Sequence, residues 1–201
     1  MRSKFANEWR AARDEEIQAL KDKMPVGQRA IKPMWVYSVK ADHLGYVVRF
    51  KARIVARGDK QRQGIDFQET FSPVVRMDSF RVFLVGCVLL HLIVYQGDNN
   101  AAYRNALLAI KQYLEEVEGY PSEENGMIYM INKAVYGLRQ SGREWNSEVN
   151  SWLIRFGFKR CATEPYLYFY NQDGEFALVL LYVDDILCAT RNEAFKKRLF
   201  S

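Results

Sequence analysis

Apolar residues recur at helical spacing near the start of the chain. Phe5, Trp9, Ala12, Ile17 and Leu20 stand among charges until Pro25-Val26-Gly27 breaks the pattern. The spacing predicts an amphipathic helix over residues 3–23. The texture then changes to β-rich runs at 35–40 and 46–55, with His43-Leu44-Gly45 between them. This predicts a hairpin with a basic second strand. A loop rich in Gly and Gln (58–68) leads to Ser72-Pro73-Val74-Val75. Residues 79–92 are almost continuously apolar and are expected to form a buried helix. A core strand at 92–96 should follow, ending at Gly97-Asp98. Residues 101–110 are expected to be helical, and the Glu- and Gly-containing stretch after them irregular. Tyr129-Met130-Ile131 reads as a short strand. Residues 141–156 read as an amphipathic helix carried by Trp145, Val149, Trp152, Leu153 and Phe156. Strands are expected at 166–170 and 176–183, a turn at Asp184-Asp185, a returning strand at 186–189 and a basic helical tail. The order implies an α+β fold with helices on one face of an antiparallel sheet.

Composition narrows the class. The 201 residues can bury one substantial core or two small ones. With 49% hydrophobic and 26% charged residues, the chain reads as soluble and globular, not disordered. Twenty-nine Lys and Arg against 24 Asp and Glu leave a net charge of +5. That balance favours polyanionic partners, because each cation placed beside a phosphate releases condensed counterions. Cys87, Cys161 and Cys188 are scattered without a CxxC pair, which argues against a disulfide framework and a zinc knuckle. The first residues lack the apolar centre of a signal peptide. The longest apolar run, 82–94, is interrupted by Gly86 and His91 and is too short for a bilayer of about 30 Å. An intracellular setting without a membrane partner is expected.

Tyr182-Val183-Asp184-Asp185 carries the most chemistry, with apolar runs on both sides. Two adjacent carboxylates at a hairpin tip repel one another unless a cation neutralises them. Asp98 ends an apolar strand of its own. If the two strands pair, three hard oxygen donors meet at one sheet end, a set suited to Mg²⁺. The plainer alternative is an ordinary turn, since Asp favours turns.

These residues resemble the signature of reverse transcriptases, and the surrounding words resemble the copia-type retrotransposon class. Trp35-Val36-Tyr37 and Lys51-Ala52-Arg53-Ile54-Val55-Ala56-Arg57-Gly58 are similar to that family's fingers. Gly64-Ile65-Asp66-Phe67-Gln68-Glu69-Thr70-Phe71-Ser72-Pro73-Val74 is similar to its linking segment. The words from Lys133 to Trp145 resemble the segment that supports the incoming nucleotide. The likeness runs in order from about Trp9 to the end.

The resemblance implies a polymerase right hand without its thumb. Residues 1–95 would hold the first helix and the fingers hairpin. Residues 96–201 would hold the palm, with fingers elements interleaved around 110–140. It implies an RNA-directed DNA polymerase using two Mg²⁺ ions, or Mn²⁺, on an RNA or DNA template-primer with deoxynucleoside triphosphates. In the family such enzymes work in the cytoplasm or a virus-like particle. Asp98 and Asp184 would bridge the metals and Asp185 would support them. Tyr103, five residues after Asp98, would be the steric gate against a ribose 2′-hydroxyl; its alternative is a packed helix aromatic. Gln140 would contact the incoming nucleotide; its alternative is an exposed loop amide. Lys51, Arg53 and Arg57 would bind the triphosphate from one strand face, and a solvated strand face is the alternative.

The chain departs from the family pattern at Gly97, Asn99, Ala106 and Gly142, and between Lys23 and Pro25. It ends at Ser201, where the resemblance would continue into a thumb and a ribonuclease H domain. A truncated polymerase and a nucleic-acid-binding remnant without catalysis are both consistent with these residues.

Overall fold

The computed structural model describes residues 5–17, 22–25, 29–98, 102–120, 127–183 and 185–200. It separates the chain into two units, each discontinuous in sequence. Met1–Thr70 joins Ala106–Ser141, and Phe71–Asn105 joins Gly142–Ser201.

In the first unit, helix α1 (Ala6–Ile17) lies on strand β3 (Val47–Ala56), which pairs antiparallel with β2 (Pro33–Ala41). Trp9 fixes the helix there. Its ring meets Tyr37 and Phe50 edge-on, at centroid distances of 5.0 and 4.8 Å. The hairpin turn closes on the Asp42 carboxylate, which accepts the backbone N–H groups of Leu44 and Tyr46, both at 2.9 Å. A second sheet orders β1 (Asp22–Pro25), β6 (Met127–Lys133) and β5 (Leu107–Leu114), with β6 central.

Two sequence expectations fail in this sheet, for one reason. Helical spacing extended the first helix to residue 23, yet residues 22–25 form a strand opposite Met127 to Met130. Pro25 is tolerated because β1 is an edge strand, where a missing N–H need not cost a ladder bond. Residues 101–110 were expected to be helical. Among the described residues of that span only Ala102–Asn105 wind, as a single 3-10 turn, and β5 follows. Ala and Leu favour helix weakly, and pairing with β6 outweighs that preference.

The second unit is built on a five-stranded antiparallel sheet. Its order is β4 (Ile93–Asp98), β10 (Asp185–Thr190), β9 (Glu175–Tyr182), β8 (Leu167–Gln172) and β7 (Lys159–Arg160). Helix α2 (Met77–Leu89) sends Phe83 and Cys87 into a core with Leu92, Tyr166, Leu180 and Ala189. The nearly continuous apolar run predicted a buried helix. Instead one stripe is covered, and Val82, Val85, Val88 and Leu89 are 58–73% exposed. Helix α3 (Ser141–Phe156) follows its expected span and buries Trp145, Val149 and Leu153 at i, i+4 and i+8. Phe156 at its end joins Phe158, Tyr170 and Phe195 in a ring cluster with centroids 4.9–6.3 Å apart. Helix α4 (Glu193–Phe200) starts under Asn192, whose Oδ1 accepts the N–H groups of Ala194 and Phe195 at 2.9 and 3.3 Å. Among the described residues, no helix is long and apolar enough to cross a membrane.

The thiols report on this packing. Burial pushes Cys87 up, and pushes Cys188 up to about 12 with Cys87 adding to the effect. A hydrogen bond with the Thr163 hydroxyl lowers Cys161 instead. Since the thiolate is the nucleophile, iodoacetamide should label Cys161 first in the folded chain. Cys87 and Cys188 should follow only after denaturation, read by peptide mass spectrometry. Equal labelling of all three in the folded chain would contradict the packing.

Candidate functional site

Strands β9 and β10 pair from Tyr182↔Asp185 inward, so positions 183 and 184 alone connect them. The sequence reading put both aspartates in the turn; the structure opens β10 at Asp185, and Asp184 lies outside the described residues. Two-residue hairpins use primed turns, whose first central residue has positive φ. Val183 holds that position at φ +52°. For a β-branched residue this is a strained region, costing about 1–3 kcal/mol, and it persists only where surroundings impose it. One such constraint is visible: the Trp145 indole Nε1 donates to the Val183 carbonyl oxygen at 2.7 Å.

On its other side β10 pairs with β4. The register runs from Thr190↔Ile93 to Asp185↔Asp98. Directly opposed antiparallel positions have Cα atoms about 4.5–5.5 Å apart. Two acidic residues from distant segments are therefore backbone neighbours at one sheet end. Gln96 adds a contact that the sequence reading missed: its Nε2 donates to Asp185 Oδ1 at 3.0 Å. A polar residue two places before an acid in an apolar strand was the available signal. Among the described residues no cluster of three acidic, His or Cys side chains forms; Asp184 is not one of those residues.

Tyr103 sits half-buried in the 3-10 turn and not on a longer helix. The remaining candidates belong to the first unit. Lys51 and Arg53 alternate along β3 opposite Ser38 and Val36, and the Arg53 guanidinium lies over the Tyr136 ring at 5.0 Å. Arg57 breaks the expected alternation because β3 ends at Ala56. It pairs with Asp59 at 2.8 Å, and that hydrogen bond raises the guanidinium above its ordinary value and lowers the Asp59 carboxyl. Gln140 is not an exposed loop amide: it is 3% exposed. Its Oε1 accepts from Gln61 Nε2 at 3.0 Å, and its Nε2 donates to the Asp66 carbonyl at 3.3 Å. Gln61 also donates to Gln112 and accepts the Arg139 backbone N–H. A nucleotide contact by Gln140 would have to draw on this network.

Residues 19–200 match the family model for reverse transcriptase (RNA-dependent DNA polymerase). The chain belongs to that family. Its relatives include Pol polyproteins of plant copia-type transposons. It is 34% identical to the retrovirus-related Pol polyprotein from transposon TNT 1-94 of Nicotiana tabacum, over 96% of this chain and 15% of that protein. It is 31% identical to the one from transposon RE2 of Arabidopsis thaliana, over 89% of this chain and 13% of that protein. The Ty1-MR1 Gag-Pol polyprotein of Saccharomyces cerevisiae is 27% identical over 86% of this chain. The chain thus spans 15% or less of the length of these polyproteins.

Reverse transcriptases generally use divalent metal ions, and carboxylate oxygens are the hard donors such ions prefer. Two departures from the family pattern are locally accommodated. A Cβ on Gly97 would stand 2.3 Å from the Phe200 ring, so that ring occupies the space a side chain would fill. Gly142 lies in the first turn of α3, where Ser72 Oγ donates to its carbonyl at 3.2 Å.

Proposed function

We propose that this reverse transcriptase domain extends a primer 3′-hydroxyl with deoxynucleotides on an RNA or DNA template, the second unit acting as palm and the first as fingers. The observation that carries this reading is the register that sets Asp98 opposite Asp185, with Asp184 next in the chain. Asp98 and Asp184 would hold two divalent cations, Mg²⁺ or Mn²⁺, with Asp185 in support. When bound, the ions would activate the 3′-hydroxyl and neutralise charge developing on the pyrophosphate leaving group. Gln96 orients Asp185 by its hydrogen bond. Tyr103 serves as the gate against ribose, an assignment that rests on its spacing from Asp98. Lys51 and Arg53 meet the triphosphate from β3. Arg57 would first have to leave Asp59, and Gln140 acts on the nucleotide only by exchanging its partners in the amide network.

The test is primer extension on a homopolymer template with Mg²⁺ or Mn²⁺, comparing the chain with Asp184→Asn. Extension that the substitution abolishes, with template-primer affinity kept, is expected. Salt-dependent binding without extension by either protein would favour a non-catalytic remnant and overturn the proposal.

A further inference from the structure

We propose that Trp145 is a positioning residue for the acidic turn: its indole N–H, bonded to the Val183 carbonyl, holds a strained two-residue connection in the conformation that sets the neighbouring carboxylates. The inference rests on the polymerase reading for its catalytic consequence, but its structural half stands independently.

Three observations meet at this bond. Val183 is a β-branched residue at φ +52°, a conformation it would leave if nothing held it. Trp145 is 4% exposed and lies one turn from Val149 on the buried stripe of α3, so its ring cannot follow a moving turn. The bond is short, 2.7 Å, and joins residues 38 positions apart. The helix therefore acts as a rigid mount for the indole donor. Downstream of that contact, Asp185 begins β10, already fixed in register on both sides by Tyr182 and Asp98. Among the described residues from Tyr182 to Asp185, Val183 has no ladder partner, and its carbonyl is the group that Trp145 holds. Phenylalanine at this position would keep an aromatic ring in the buried stripe but lacks the N–H donor.

The experiment compares wild type, Trp145→Phe, Val183→Gly and the double variant. Val183 is 40% exposed and lies at the sheet end, and phenylalanine keeps an aromatic ring in the buried stripe, so Trp145→Phe should fold. Loss of an outer partner of a metal-binding group typically costs about 10- to 100-fold in affinity. Trp145→Phe should weaken Mn²⁺ binding, followed by electron paramagnetic resonance, about 10-fold. It should lower kcat for nucleotide addition and leave KM for template-primer near its wild-type value. Amide exchange around positions 183–186 should accelerate. In the Val183→Gly background, where glycine adopts positive φ freely, the effect of Trp145→Phe should shrink to about 2-fold. Wild-type Mn²⁺ affinity and wild-type exchange in Trp145→Phe would overturn the inference. Failure of the polymerase reading looks different: wild type and Asp184→Asn would bind Mn²⁺ equally, while Trp145→Phe still accelerated exchange at the turn.

Discussion

Replacing Asp185 by asparagine, or Asp98 by asparagine, is expected to lower single-nucleotide addition by about 10³-fold without unfolding the chain. A cation bound between reacting oxygens supplies several kcal/mol of charge stabilisation in the transition state. At 1.36 kcal/mol per decade, losing about 4 kcal/mol removes about three orders of magnitude. The amide keeps the size and one acceptor oxygen of the acid, so at position 185 the bond from Gln96 Nε2 can persist. Melting temperature should therefore stay close to wild type while the rate collapses. Gln96→Leu provides a graded comparison: it leaves the charge and removes only the orienting donor, with an expected loss of about 10-fold. Rapid-quench measurement of one addition, with circular dichroism for folding, decides the matter. An Asp185→Asn rate within 10-fold of wild type would remove the carboxylate from the proposed chemistry.

The second large effect concerns the fold of the first unit. Gly137→Ala should destabilise the chain by about 3 kcal/mol or more. Gly137 sits at φ +91°, and a Cβ there would fall 2.1 Å from the Ala56 carbonyl oxygen and 2.6 Å from Val55 Cγ1. The left-handed conformation costs an L residue about 1–2 kcal/mol. Forcing two backbones apart adds about 1–3 kcal/mol. The approach is tight because Ala56 N–H donates to the Tyr136 carbonyl at 2.8 Å, locking the end of β3 to the turn before α3. Two further glycines separate the causes. Gly45 has φ +85° with nothing within 4 Å, so Gly45→Ala reports the conformational cost alone, about 1 kcal/mol. Gly58 would place its Cβ 2.1 Å from the Gly137 carbonyl oxygen, so Gly58→Ala reports the steric cost. For a chain of this size about 3 kcal/mol lowers Tm by about 10 °C. Equal melting of Gly45→Ala and Gly137→Ala would show that the close approach costs nothing.

How far the sequence reached depends on where each element takes its stability. Helix α3 was legible because Trp145, Val149, Leu153 and Phe156 write its buried stripe in its own letters. The β2–β3 hairpin was legible because two β-rich runs flank a turn that its own Asp42 and Gly45 build. Strands β1 and β5 were not, since both are strands only by virtue of pairing with β6. The exposure of α2 was equally hidden: a continuous apolar run does not say which stripe will find a partner. At the site, the acids stood out from their apolar flanks. Gln96 and the Trp145 indole did not, because each works by touching a residue remote in sequence.

By itself the amino-acid order determined the periodic elements, the basic balance and the run of family words from the hairpin to the acidic turn. Only the tertiary structure decided that Asp98 stands opposite Asp185 and that Gln140 is enclosed by Gln61 and Asp66. The physical reason is that strand register is set by burial across the whole sheet, and a slip of one residue would reverse every side chain.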